Sequence, residues 1–226
     1  MGTDLEIILP EEIPVMTLPQ VAFFPQALLP LHIFEPRYRE MLKEVLATNR
    51  LMAVAGMDQR PGRGPEAPFR VAGIGIIRAC QGNDDGTSNL LVQGLCRAAV
   101  EGIVTEEPYR KIRIRALASD PGADAAANER SREELARLLR LKQRLSAAPE
   151  GKMAAFLKTV DDPETFVDIA AFSLCDDPAV KQKLLETLDV HRRLELFAGQ
   201  LRSEIAGLRI QRQLQGGISD DKIGEN

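Results

Sequence analysis

Hydrophobic and polar positions follow a strand-like pattern in the first half of the chain and a helical one in the second. Leu5 to Leu9 is a short apolar run ended by Pro10, and Ile13 to Leu18 is an extended stretch framed by Pro14 and Pro19, where proline fits strand ends or sheet edges. Leu28 to Phe34 is too apolar for a surface loop and too short for a buried helix with its caps, so it reads as a buried strand. At Glu35-Pro36 the period changes. Tyr38, Met41, Leu42, Val45 and Leu46 fall at helical spacing, and proline suits a first helical turn because its missing N–H is not needed there. Glu35 is placed to cap that helix, with Arg37 fixing its carboxylate.

Leu51 to Met57 then reads as a second buried strand. Asp58 to Pro68 holds Pro61, Gly62, Gly64, Pro65 and several charges, which predicts a long surface loop. Val71 to Cys80 and Ser88 to Val92 flank the turn Gly82-Asn83-Asp84-Asp85-Gly86 and predict a hairpin. Leu95 to Val104 and Tyr109 to Leu117 continue as strands. In the last of them Ile112 and Ile114 alternate with Lys111, Arg113 and Arg115, so one side faces water.

After a linker-like stretch, Ser119 to Asn128, every element reads as helical. Ser131 and Glu134 have capping-box spacing ahead of the stripe Leu135, Leu138, Leu139 and Leu145. Met153, Phe156, Leu157 and Val160 repeat the pattern. Asp162-Pro163 and Asp177-Pro178 are paired start signals, an aspartate cap followed by proline. From near Asp189, Leu194, Phe197, Leu201, Ile205 and Leu208 form a coiled-coil-like seam, which leaves room for weak homo-oligomerisation through the last helix. The expected organisation is α+β: a β subdomain over 1–118, a linker over 119–128, a helical bundle over 129–216 and a disordered tail over 217–226.

Composition narrows the function classes. The formal net charge is −4 and neither half is basic, which argues against a broad nucleic-acid-binding surface. Cys80, Cys96 and Cys175 are odd in number and widely spaced, which suits a reducing compartment better than a disulfide framework. The N-terminus is acidic and lacks a signal-peptide pattern, and no stretch approaches the roughly 20 apolar residues of a membrane span. A cytoplasmic protein is expected.

Ile13-Pro14-Val15, Phe23-Phe24-Pro25, the run from Pro30 to Tyr38 with Met41, and Gly73-Ile74-Gly75 are separated motifs. Together they resemble one known family, the N-terminal substrate-binding (LON) domain of the ATP-dependent protease Lon. Leu91-Val92-Gln93-Gly94-Leu95-Cys96-Arg97, Asp168-Ile169-Ala170 and Leu188-Asp189-Val190 with Arg193-Leu194 follow the family pattern too, so that the resemblance spans roughly residues 5–210. It implies a PUA-like β-barrel of about six strands plus one helix, followed by a helical bundle. It also implies a non-catalytic module that recruits unfolded polypeptide or a protein partner, here as a stand-alone chain without ATPase and peptidase domains.

Motifs of enzyme chemistry are absent from the chain. There is no GxxxxGK[ST] phosphate loop, and Gly73-x-Gly75 lacks the third glycine and following helix of a dinucleotide fingerprint. The protease's serine motif with its activating lysine is missing. His32 and His191 lie too far apart to suggest a metal site, and Glu106-Glu107 and Asp84-Asp85 are adjacent carboxylates whose side chains diverge. No catalytic, metal or cofactor residues are therefore assigned. The expected polypeptide contacts are Phe23, Phe24, Leu28, Leu29, Arg60 and Phe69, while Pro25, Pro30, Phe34, Glu35, Arg37 and Tyr38 are expected to shape the fold. Two other readings stay open: a hydrolase built on His32 with Glu35 or Cys96, and an RNA-binding PUA-like protein.

Overall fold

A computed structural model describes residues 9–146 and 152–216. The expected strand from Leu5 and the tail over 217–226 fall largely or wholly outside them. The internal contacts resolve two compact units, one running to Asp120 and including Asp168–Leu188, the other comprising Pro121–Val167 and the chain from Asp189 on.

The first unit contains β1 (Glu12–Leu18), β2 (Leu28–Ile33), α1 (Pro36–Ala47), β3 (Leu51–Gly56), β4 (Val71–Gly82), β5 (Ser88–Thr105) and β6 (Lys111–Leu117). The sheet order is β2-β5-β4-β3-β1-β6, and β6 pairs back onto β5, so the ladder closes on itself with β2 outside the circuit. β1 and β3 are parallel, and the other pairings are antiparallel. β5 is one strand of 18 residues where two were expected. Its first part serves β2 and β4 and its last part serves β6, with bulges absorbing the turn between these tasks.

Alternation decides what lies inside. Ile13, Val15, Ala53, Ile74, Ile112 and Ile114 form the core, while Arg113 and Arg115 point outward as expected. β3 is buried along its whole length. β2 corrects the expectation of a buried strand. It alternates between exposed and covered positions, because β5 is its one neighbour in the sheet among the described residues. α1 lays Tyr38, Met41, Leu42 and Val45 inward. Pro36 starts that helix as expected, but Glu35 makes no side-chain cap bond and instead accepts from Arg37 Nε at 2.9 Å.

The segment before β2 crosses directly over glycines. A Cβ on Gly73 would lie 2.1 Å from the Phe23 carbonyl oxygen, and one on Gly94 would lie 2.0 Å from that of Phe24. Only glycine admits backbone this close. The crossing drives both rings inward, so Phe23 and Phe24 have no exposed surface, and Phe23 meets Phe172 edge-on at 6.3 Å. Phe172 belongs to α4 (Pro163–Leu174), which with α5 (Pro178–Glu186) opens at the two Asp-Pro signals. Asp162 accepts from Thr165 N at 2.8 Å, and Asp177 from Ala179 N at 2.8 Å.

In the second unit α2 (Ala125–Leu145) begins inside the linker-like stretch, because Asp124 caps it by accepting from Ala127 N at 2.7 Å. The Ser131–Glu134 spacing therefore falls within a helix already under way, and Glu134 pairs with Arg137 instead. α3 (Lys152–Leu157) buries Leu157 and leaves Phe156 half exposed. α2 packs along α6 (Val190–Gly216), where Leu194, Phe197, Leu201 and Ile205 are buried. Leu135 and Leu138 of α2 are buried as well, while Leu208 at the end of the expected seam is half buried. Among the described residues no helix is long and apolar enough to cross a membrane.

Candidate functional site

β2 carries part of the exposed apolar surface of the first unit, Ile103 and Val104 near the end of β5 carrying another part. Its outward residues Leu28, Pro30 and His32 are exposed, Leu28 at 53%, and Phe34 just beyond its end is 60% exposed. Residues directly opposed across an antiparallel pair share a face. The register therefore sets Gln93, Leu91 and Asn89 of β5 beside Leu28, Pro30 and His32, with Ala79 and Gln81 of β4 beyond Leu91 and Asn89. The result is a face three strands wide made of apolar and amide groups, in a chain that is 27% charged. Arg78, on the adjoining bulge, donates Nε to Gln93 Oε1 at 2.7 Å, and Gln93 Nε2 donates to Gln26 Oε1 at 3.4 Å. At the far end the His32 ring stacks on Phe34, centroids 6.1 Å apart, and its Nδ1 lies 2.9 Å from Asn89 Oδ1.

A charge network beside Phe34 holds the Asp58–Pro68 loop. Arg37 donates to both carboxylate oxygens of Glu66, at 2.6 and 2.9 Å, and Arg110 donates to the carbonyl oxygens of Glu66 and Pro65. The bond from Arg37 holds the Glu66 carboxyl below its ordinary range, and the same bond raises the Arg37 guanidinium. At the loop's other end Asp58, 2% exposed, accepts from Arg60 Nε and Nη2 at 2.6 Å each and forms an ion pair with Arg63, Nε 2.9 Å away. Chiefly through the Arg60 bond its pKa falls from 3.8 to about 2. The Arg60 guanidinium then lies 5.8 Å over the half-buried Phe69 ring, which packs on Gly56.

The expected contacts divide accordingly. Leu28 is on the exposed face, and Arg60 and Phe69 are brought together. Leu29 is half buried on the inward side, and Phe23 and Phe24 are enclosed. Of the residues expected to be structural, Tyr38 is buried and donates to Thr17 O at 3.4 Å, Pro25 is half buried, and Glu35 and Arg37 pair, whereas Pro30 and Phe34 contribute to the exposed face. Sequence reasoning missed Leu91, Ala79, Glu66 and Arg110. The alternation Asn89-Leu90-Leu91-Val92-Gln93 hints at a mixed outer face, but only the register with β2 locates it.

Hydrolytic chemistry finds no support in the geometry. His32 is engaged with Asn89 and Phe34, and Glu35 with Arg37. Cys96 lines a groove of about 560 Å³ with Leu95 and Ile114, where burial pushes its thiol pKa up and so disfavours the thiolate. Among the described residues no three His, Cys, Asp or Glu side chains group to hold a metal ion.

Residues 12–202 match the family model of the ATP-dependent protease La (LON) substrate-binding domain. The chain belongs to this family. Curated relatives of the LON substrate-binding domain include the Lon protease of Desulfosudis oleivorans, 25% identical over 216 residues, and that of Trichlorobacter lovleyi, 27% identical over 229 residues. They cover 94% and 98% of this chain but only 26% and 27% of their own length, so the chain spans about a quarter of the relatives it matches. Solved structures agree on the fold. The N-terminal domain of Mycobacterium avium complex Lon protease has a TM-score of 0.66 at 18% identity, with 84% of this chain and 98% of that one covered. A Lon N-terminal domain protein from Xanthomonas campestris has a TM-score of 0.57 at 18% identity, with 81% and 95% covered. The expected α+β LON fold is thereby established.

Proposed function

We propose that this LON-family chain is a non-catalytic, cytoplasmic module that binds unfolded polypeptide or a protein partner in connection with proteolysis. The observation that carries the reading is the uncharged face of Leu28, Pro30, Leu91 and Phe34 on a chain of the substrate-binding family. Large side chains exposed together on a surface otherwise rich in charge mark a contact site for apolar segments of other proteins. The loop bearing Arg60 and Phe69 supplies a second, cationic and aromatic element.

Titration of fluorescently labelled, permanently unfolded casein with the purified chain tests this. Saturable binding is expected, weakened at least about fivefold by Leu28→Ser with Phe34→Ser, since a few exposed anchors dominate such contacts. Absence of binding by the wild-type chain overturns the reading. Casein is expected to remain intact with or without ATP; cleavage that follows the chain through purification and is lost in His32→Ala overturns the non-catalytic part.

A further inference from the structure

Among the described residues β2 pairs on one side of its backbone, and the ladder pattern tells which groups lie on the other. Gly94 N donates to Ala27 O at 2.9 Å while Gly94 O accepts from Gln26 N at 2.9 Å, so the Ala27 carbonyl faces Gly94 where a hydrogen-bonded pair would stand at the entry to the β2–β5 ladder. Such pairs alternate with non-bonded ones in an antiparallel ladder. By the observed register Leu29, Leu31 and Ile33 then bond to β5, while Leu28, Pro30 and His32 turn their N–H and C=O groups away from it. The opposite side of β5 agrees: Asn83 N donates to Thr87 O at 2.9 Å, so Gln81 with Asn89 is bonded towards β4 and Leu90 is left to face β2. No strand pairs with the outer edge of β2 among the described residues, and none of the backbone groups of Leu28, Pro30 or His32 takes another bond there. The half-buried state of Leu29 and Leu31, although they point inward, fits an edge with which no described strand pairs.

We propose that this open edge binds an extended polypeptide segment by strand addition. The proposal rests on the polypeptide-binding reading and specifies its mode. An antiparallel segment can bond the N–H groups of Leu28 and His32 and the C=O groups of Leu28, Pro30 and His32. Pro30 has no N–H, so the edge is weakened at its centre, the position where proline is tolerated because no ladder bond within the sheet is lost. This lowers self-pairing between copies while leaving both ends of the edge able to accept a strand. Charge selects the segment. The face continuous with the edge carries Leu28, Pro30, Leu91 and Ala79, and its adjoining guanidinium, Arg78, is already bonded to Gln93. An incoming strand whose outward alternate side chains are uncharged and apolar complements it, with Phe34 and the stacked His32 receiving the side chain at the end of the edge.

The test uses a capped, fluorescent peptide of about ten residues alternating valine and threonine, long enough to span the edge. Two further peptides carry N-methyl groups on all valines or on all threonines, which removes the N–H groups along one edge or the other. The wild-type chain is expected to bind the unmethylated peptide and one methylated form within about twofold, and to lose the other at least about tenfold, because strand addition reads one edge of the partner. Pro30→Ala, which restores a donor, is expected to tighten binding severalfold. Binding of both methylated forms as well as the parent, or loss of both, overturns strand addition while leaving the polypeptide-binding reading standing. Failure to bind the parent peptide together with failure to bind unfolded casein overturns that reading itself. Amide exchange reports the same contact directly: Leu28 and His32 are expected to become protected by at least about tenfold on peptide binding, and unchanged exchange at both overturns the proposal.

Discussion

Arg97 and Asp168 form a buried bidentate pair, Nη1 to Oδ2 at 2.8 Å and Nη2 to Oδ1 at 2.6 Å, with both side chains at most 2% exposed. Arg97 Nε also donates to the Leu185 carbonyl at 3.0 Å, so one residue of β5 fastens α4 and α5 to the sheet. Its guanidinium lies 5.7 Å from the Phe24 ring, which the crossing segment has driven inward. Removing one partner strips the other buried charge of its two bidentate bonds. Asp168→Ala is expected to destabilise by about 3–5 kcal/mol, whereas Arg97→Met with Asp168→Leu is expected to recover a large part of that loss. Urea denaturation of the single and double variants checks it; equal loss in both would mean that the pair's charge is not what matters.

Phe34 and Phe23 give opposite expectations although only eleven positions apart in the chain. Phe34→Ser changes stability by no more than about 0.5 kcal/mol, as for an exposed side chain, but weakens polypeptide binding. Phe23→Ala costs about 3–5 kcal/mol because it empties an enclosed site. Thermal unfolding beside the casein titration separates the two.

Gly94→Ala places a methyl group against the Phe24 carbonyl. The backbone must move, and a loss of at least about 1–3 kcal/mol is expected from overpacking. Gly102→Ala meets nothing within 4 Å and serves as the control, with little change in the denaturation midpoint.

The loop responds to acid through Asp58. Its folded pKa, about 2, lies below the ordinary 3.8, so its bonds to Arg60 and Arg63 stabilise the loop fully above about pH 4 and that contribution is lost as pH falls towards 2. Amide exchange within residues 58–68 is expected to speed up, beyond its intrinsic pH dependence, across that window. Asp58→Asn removes the step. Glu66→Gln loosens the other end of the loop at neutral pH, detectable as faster tryptic cleavage after Arg63, with less than about 1 kcal/mol of global effect because the Arg37–Glu66 pair is about a third exposed.

Much of the first unit was legible in the pattern of residues. The change of period at Pro36, the alternation of Ile112 and Ile114 with Arg113 and Arg115, and the aspartate-proline starts of α4 and α5 each arise from local geometry, so each could be read without the fold. The spaced motifs likewise carried the LON resemblance that the family match then established. Burial of Leu28 to Ile33 was misjudged because an apolar strand reads the same at the centre of a sheet and at its edge.

Sequence by itself therefore determined the order and type of most elements and the family, since periodicity, proline and capping act over a few residues. Tertiary structure alone decided which apolar residues are exposed. Phe23 and Phe24 are enclosed because their backbone crosses Gly73 and Gly94, while Leu28 and Phe34 are exposed because β2 has a neighbour on one side. Both outcomes depend on contacts between residues tens of positions apart, and no local pattern encodes them.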